Sequence, residues 1–514
     1  MVVSLLKLLT NGIQDERIYD KGGNIFFPFL KTWTRTARFT TRWERIDFAD
    51  PVEFGSSGHA YLPTKGHLCT RLFLMVTMPD IFKSQDDAIK SLGIAGSDFV
   101  GPRFGWTNSL GHALIQSASI TIGGLAIDNL DSLLLEIMDE YNTPLEKVTV
   151  VNRLIQRVDN GFTQTTFGNT TTPVTVAIPL PFWFCRGDPR CALPVDAIAN
   201  DDIVVSVKFR ELNGLYYTDS RNVISEPSGM DGSALWNITG SVLYKKDGSG
   251  SVIPGLATTH SGGKVSVIPG ITMPNTFKIG EHYLLAEYVY LDSVAASKFR
   301  NSDLQMPIVQ HHASPVRESH GLPTMTMSIT APNPTKDIYW LARRREAHLY
   351  NAHFLATRDL KGASDASGTI WWPDASGLSA ISPAFLRPAF ALSDSEPLRA
   401  VSLTYEGSLV RFRTEAPAMC RSILPSLEQK KGPWVNRYYY NYSFGLHNKT
   451  IPLSRPLGEA NLGKMSYINL NMDFQQHRGS FNPNDIPSYT VNAYTETYNV
   501  LRVYGGRAGM LFSY

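Results

Sequence analysis

The 514-residue chain is short of cysteine, of net charge and of long apolar runs, and each shortage excludes a class of protein. Four cysteines, Cys69, Cys185, Cys191 and Cys420, are too few to staple a disulfide-dense secreted scaffold. Cys185 and Cys191 lie close enough in sequence to bridge, but two free thiols in a reducing compartment are the expectation. Zinc would need more ligands at tighter spacing. The formal net charge is +2 and no long basic run occurs, which argues against wrapping a genome by charge and leaves room for a local basic patch. No stretch reaches the ~18 apolar residues that span a bilayer. The start, Met1 to Leu9, is apolar but short. It has no basic leader region and no small-residue cleavage site, so it reads as a buried or interfacial turn of helix rather than a signal peptide. Synthesis in the cytosol follows.

What is present describes a globular, β-rich chain. Hydrophobic residues make up 43% and charged residues 18%. The length suits two or three domains, each able to bury its own core. Forty glycines and 31 prolines fit many short strands joined by turns. Ala118 to Ile122 alternates apolar and polar, the period of a half-buried strand. Gly123-Gly124 then separates it from Leu125 to Asp128, which reads as a hairpin because glycine accepts positive φ. Further strands are expected over 203–209, 283–291, 337–342, 401–405, 438–444 and 498–504. Helix is expected over Leu130 to Tyr141, ended by Asn142-Thr143-Pro144, and briefly over Val294 to Arg300. Two stretches, 213–278 and 357–397, read as long surface loops, the second around Ile370-Trp371-Trp372. This pattern favours sandwiches or jelly rolls over parallel α/β folds.

Several blocks resemble the major capsid proteins of nucleocytoplasmic large DNA viruses. They begin with Leu8 to Asp15, Gly23-Asn24, Phe29 to Lys31 and Thr34-Arg35. Trp106 to Ile115 follows, leading into Ile122-Gly123-Gly124 and Ile127-Asp128. Leu180 to Arg186 with Ala192 to Pro194, and Glu287 to Asp292, complete the first half. Asn333 to Trp340, Arg455 to Leu462 and Tyr498 to Gly506 continue the family order to the C-terminal end. The segments 213–278 and 357–397 depart from the pattern.

The resemblance implies an all-β fold of two tandem eight-stranded jelly rolls, with few short helices and long surface loops. It implies a homotrimer of pseudo-hexagonal outline within an icosahedral shell. It also implies neighbouring capsomers, minor capsid and penton proteins, and an inner viral membrane as partners, and the virion as location. Residues 1–25 are then an inner-face segment, 26–300 the first jelly roll with an insertion at 213–278, 301–314 a linker, and 315–514 the second jelly roll with its loop at 357–397. No catalytic, cofactor-binding or metal residues and no specific nucleic-acid site are expected.

The remaining motifs have sharper and plainer readings. Gly458 to Met465 nearly matches a phosphate-binding loop, but Met465 cannot ligate Mg²⁺ and Ile468 to Met472 alternates like a strand, so a turn is expected. Arg186-Gly187-Asp188 reads as a structural turn before Pro189 rather than a receptor ligand. His311, His312 and His320 near Glu318, followed by His348 and His353, read as exposed linker histidines rather than metal ligands. Arg343-Arg344-Arg345 reads as a solvated face or an intersubunit salt bridge, with genome or anionic lipid as the sharper alternative. Glu136, Asp139 and Glu140 read as the solvated face of an amphipathic helix rather than acid/base catalysts. The sequons at Asn169, Asn237, Asn441 and Asn448 are expected unmodified in a cytosolic chain. Two other classes compete with self-assembly. A carbohydrate-binding module would stack sugars on Trp371-Trp372, and glycan binding would reveal it. A jelly-roll glycosidase would need two carboxylates across a cleft, and polysaccharide hydrolysis would reveal it.

Overall fold

A computed structural model describes residues 38–80, 99–100, 104–157, 174–218, 278–345, 353–354, 356, 358, 396–406, 409–428, 430–433, 437–445, 458–476 and 486–512, with short strands between 222 and 267. Eight principal strands form the first unit: β1 (Phe39–Ile46), β2 (Ser57–Tyr61), β3 (Leu68–Met78), β4 (Ile115–Ile122), β5 (Leu125–Asp131), β6 (Val174–Pro179), β7 (Ile203–Phe209) and β8 (His282–Leu291). They pair as two four-stranded antiparallel sheets, β1-β8-β3-β6 and β2-β7-β4-β5. The second unit repeats this with β9 (Leu304–Ala313), β10 (Thr324–Ser328), β11 (Thr335–Arg344), β12 (Leu398–Tyr405), β13 (Leu409–Thr414), β14 (Tyr439–Ser443), β15 (Asn469–Phe474) and β16 (Tyr489–Tyr504). Its sheets are β9-β16-β11-β14, with two short strands also pairing to β16, and β10-β15-β12-β13. The strand order is identical in the two units. Each is a jelly roll, so the fold is a double jelly roll.

Local sequence accounts for these elements. In β7, Ile203, Val205, Val207 and Phe209 point inward and are buried, while Val204, Ser206 and Lys208 are not. The hairpin between β4 and β5 has Gly123 at φ +57° and Gly124 at φ +81°, with Ile122 paired to Leu125. Two residues at positive φ form the turn that matches strand twist. The helices are short: α1 (Leu110–Leu114), α2 (Ser132–Asn142), α3 (Val148–Leu154), α4 (Ser293–Asn301) and α5 (Leu424–Leu427), the last continuing a π-helical stretch, Met419–Ile423. Asp131 caps α2 by accepting from Leu134 N at 2.8 Å, and Asp292 caps α4 by accepting from Ala295 N at 2.8 Å.

The stretch 301–314, expected as a linker, contains β9, which pairs with β16 from Leu304 to Ala313. Pro307 disguised it, yet β9 ends the strand path of its sheet, where a missing N–H is tolerated. The N-terminal segment 1–25, Trp371-Trp372 and most of 213–278 and 357–397 lie outside the described residues.

Candidate functional site

Among the described residues, buried charge is concentrated where the two barrels meet. β5 leaves the first barrel and runs into α2, which places Glu136, Asp139 and Glu140 three and four residues apart on one side of the helix. The solvated face expected there is absent. Glu136 and Glu140 are buried, and the second barrel covers them. Arg157 Nη2 donates to Glu136 at 2.5 Å, and Arg157 also pairs with Asp139. His112 Nδ1 lies 2.7 Å from the same Glu136 oxygen, Oε2. From the second barrel, Arg437 pairs with Glu140 and lies 3.7 Å from Glu136, and Lys431 Nζ reaches Glu140 at 3.3 Å. Burial pushes the Glu136 carboxyl up, but Arg157, the His112 hydrogen bond and Arg437 outweigh it and hold it below its ordinary value. Asp139 is likewise held low, burial being overcome chiefly by Arg157.

A second cluster lies on the outward face of the β9-β16-β11-β14 sheet. Glu496 on β16 accepts from Arg186 Nη1 of the first barrel at 2.6 Å, from Lys336 Nζ at 2.8 Å and from Tyr339 Oη at 3.2 Å. Asp337 accepts from Lys430 Nζ at 2.7 Å. His311 Nδ1 lies 3.0 Å from Asp128 Oδ2 of β5, and Arg186 Nη2 donates to His311 Nε2 at 2.7 Å. Asp128, His311, Arg186 and Glu496 thus form one relay across the boundary. Burial opposes ionisation of Glu496, but Arg186, Lys336 and His311 hold its carboxyl well below the ordinary range. Further hydrogen bonds extend the seam. Tyr141 Oη donates to Tyr439 O at 2.8 Å, Tyr494 Oη to Asp131 at 2.6 Å, and Gln310 Nε2 to Ile127 O at 2.5 Å.

The sequence motifs resolve against this geometry. Arg186 of the Arg186-Gly187-Asp188 triplet is one of the four members of the relay, Gly187 takes φ +91°, and Asp188 accepts from Arg190 N, so the triplet is a structural turn. His311 is buried, not an exposed linker residue. His353 is also buried and its Nε2 lies 2.6 Å from Gly214 O, while His320 is exposed as expected. His348 lies outside the described residues. The arginine triplet is not a solvated patch. Arg343 and Arg344 are largely buried and donate to the carbonyls of His353 and Arg358, and only Arg345 is open. Gly458 to Met465 forms a loop and a single 3-10 turn before β15, with no long helix after it. Asn441 is buried and its amide donates to Asp337 and Ile338 O, so the folded chain offers no acceptor there. Asn169 and Asn448 lie outside the described residues, as does the side chain of Asn237. Cys185 and Cys191 are free thiols, and burial pushes the Cys185 thiol well up. Among the described residues, no group of three or more His, Cys, Asp and Glu side chains is placed to hold a metal.

Arg157, Lys336, Asp337, Lys430, Arg437 and Glu496 were not singled out from the sequence. One signal was available: Lys336-Asp337 and Glu496 stand inside long strand-forming runs, where charge has no solvent to face.

Two jelly rolls of one strand order, locked by a buried ionic seam, define a double jelly-roll protein whose densest polar cluster joins domains rather than facing a cleft. Residues 28–244 match the family described as major capsid protein N-terminus, and residues 297–509 match large eukaryotic DNA virus major capsid protein. The chain belongs to the major capsid proteins of large eukaryotic DNA viruses, a family of structural rather than catalytic proteins. It is similar to probable capsid protein 4 of Acanthamoeba polyphaga mimivirus, 24% identical over 42% of this chain and 39% of that protein. It is also similar to the major capsid protein of Pyramimonas orientalis virus, 28% identical over 45% of this chain and 51% of that protein. These matches therefore span about half or less of those relatives. The PBCV-1 virus capsid structure shares the fold with a TM-score of 0.62 at 16% identity, over 95% of this chain and 100% of that one.

Proposed function

We propose that three copies of this chain form a pseudo-hexagonal capsomer and that capsomers tile the icosahedral shell of a large double-stranded DNA virus. The observation that carries this reading is the repeated strand order of two barrels held by a buried seam. Three rigid pairs of like barrels present six similar corners, and a flexible pair would not. Buried ion pairs add little net stability but are costly to leave half-made, which suits a joint that must adopt one angle. The domain plan of this reading is an inner-face segment over 1–25, a first jelly roll over 26–300 and a second jelly roll that begins with β9 at Leu304 rather than at 315.

Neighbouring capsomers, minor capsid and penton proteins and an inner viral membrane are the partners of this reading, made after synthesis in the host cytoplasm. No cofactor and no specific nucleic acid enter it. Residues 1–25 face the interior, because Val2, Val3, Leu5, Leu6, Leu8 and Leu9 are too apolar for an exposed tail. Deleting residues 1–12 should then spare the trimer and impair particle assembly. The direct test of the whole reading is light scattering of the purified full-length protein at micromolar concentration. A trimer mass is expected, and a monodisperse monomer would contradict it.

A further inference from the structure

The arginines of the seam fall into two groups. Arg157, Arg186 and Arg437 each meet a carboxylate in an ion pair. Among the described residues, Arg210 and Arg343 do not. Arg210 follows β7 of the first barrel and gives its Nε to Ala113 O at 2.8 Å. Arg343 lies near the end of β11 in the second barrel and gives its Nη1 to His353 O at 3.0 Å, while its Nε is buried without an acceptor. A short path joins the two side chains. His353 Nε2 lies 2.6 Å from Gly214 O, and a Cβ placed on Gly214 would meet Arg210 Cδ at 2.9 Å. Asp131 acts on both guanidiniums, but its oxygens are engaged elsewhere. Oδ1 accepts from Leu134 N at 2.8 Å and Oδ2 from Tyr494 Oη at 2.6 Å. Burial lowers both guanidiniums from their ordinary value, and the charge of Arg343 lowers Arg210 further. Burial also raises the Asp131 carboxyl, which leans it toward the neutral form. Two cations at a domain boundary thus share at most one carboxylate, an arrangement that is costly unless a further anion joins it.

We propose that Arg210 and Arg343 form an oxyanion site at this end of the seam, taking one small phosphate-class ion that bridges the two barrels. The free edges of the guanidiniums suit it. With Nη1 given to His353 O, Arg343 keeps its Nε–Nη2 edge, which holds an oxyanion through two parallel N–H bonds. With Nε given to Ala113 O, Arg210 keeps its two Nη groups. Both residues are half-buried, so a small ion has a route from solvent, whereas the buried Arg343 Nε lies beyond the reach of a polymer backbone. A phosphate offers oxygens to both forks and more charge than chloride. The site belongs to one chain and stands independently of the trimer reading. It gives the joint between the barrels a soluble effector, which the ion pairs elsewhere in the seam do not need.

The test uses full-length protein exchanged into phosphate-free buffer. Isothermal titration with sodium phosphate, at fixed ionic strength and neutral pH, should show one ion bound per chain. Millimolar phosphate should raise the melting temperature by on the order of 3 °C, at a concentration too low for general salt exclusion. Sulfate, of like shape, should compete. Arg343→Met and Arg210→Gln should each weaken binding at least ~10-fold and lose the shift, with a cooperative melt in phosphate-free buffer showing that they fold. Arg210→Gln decides alone if Arg343→Met does not fold. Arg345→Gln, next in the same triplet but open to solvent, should keep both readouts. No heat and no shift in the wild type would overturn the proposal, as would a shift that survives in Arg210→Gln. A single-stranded oligonucleotide that displaced phosphate at equal phosphate concentration would overturn the assignment to a small ion. A monomer that binds phosphate would leave this site standing and contradict the trimer reading alone.

Discussion

The same four-stranded sheet occurs twice in this chain, and its outward face has opposite fates. In the second barrel, β11 is buried at nearly every position, on both faces, because the first barrel covers it. In the first barrel, β3 alternates between buried Leu72, Leu74, Val76 and Met78 and half-open Phe73, Met75 and Thr77. Topology is equal, so the difference lies in what each face meets. The covered face carries Asp337 and Glu496, each held by cations from elsewhere in the fold. The open face carries Trp43, Phe73, Met75 and Leu285, and its charges, such as Arg71 paired with Glu287 at 3.5 Å, lie at the solvent edge, with Arg71 54% exposed. A jelly roll therefore tolerates buried charge on its outer face only where a specific neighbour supplies the opposite charge.

The largest break in this comparison should come from the covered side. Arg157→Met leaves Glu136 and Asp139 buried without their main cation, and should cost ~3–5 kcal/mol in denaturant unfolding. Arg45→Ala, which removes a solvent-exposed pair with Glu281 at the rim of the open face, should leave the midpoint unchanged within error. Equal losses in the two variants would deny the distinction between the faces.

Acid should follow. Glu136, Asp139 and Glu496 lie below their ordinary values in the fold. Their stabilisation is therefore complete above 4.5 for Glu and 3.8 for Asp, and drains as pH falls below those values toward the depressed folded ones. Asp131, Glu396 and Glu428 are raised by burial and run the other way, contributing at low pH and losing as pH rises through their folded values. They offset only part of the loss, because the depressed groups hold the seam itself. The melting temperature should fall steeply as pH drops from about 5 to about 3. A flat profile would contradict the ionic seam.

Smaller effects sharpen the picture at the approach to α2. Gly123→Val must adopt φ +57° and press its Cβ to 2.8 Å from the Asp201 carboxyl, whereas Gly124→Val at φ +81° meets open space. Both should destabilise by ~1–3 kcal/mol, with Gly123 the worse, as measured by thermal melts. Wild-type melting in both would refute the hairpin geometry. Tyr141→Phe removes one hydrogen bond across the seam and should cost about 1 kcal/mol in the same assay.

Much of the fold was legible in local pattern. The strand over 203–209 and the glycine hairpin need only neighbours in sequence, whereas the helix expected from Leu130 begins at Ser132, after its cap Asp131. The seam was not legible for the same reason. Nothing within a few residues of Glu136 shows that Arg157 and Arg437 will surround it, so its helix read as half-solvated. The histidines at 311 and 312 and Pro307 broke the alternation that would have revealed β9. Arg186 was visible in a family block and a tripeptide but not as an ion-pair partner, because Glu496 lies 310 residues away.

The most direct measurement is electron cryomicroscopy of the purified full-length protein. The account predicts a ring of three chains with six barrels of similar outline, the two barrels of each chain held at one angle by the buried seam. Single chains, or particles in which the two barrels of one chain take variable angles, would contradict it.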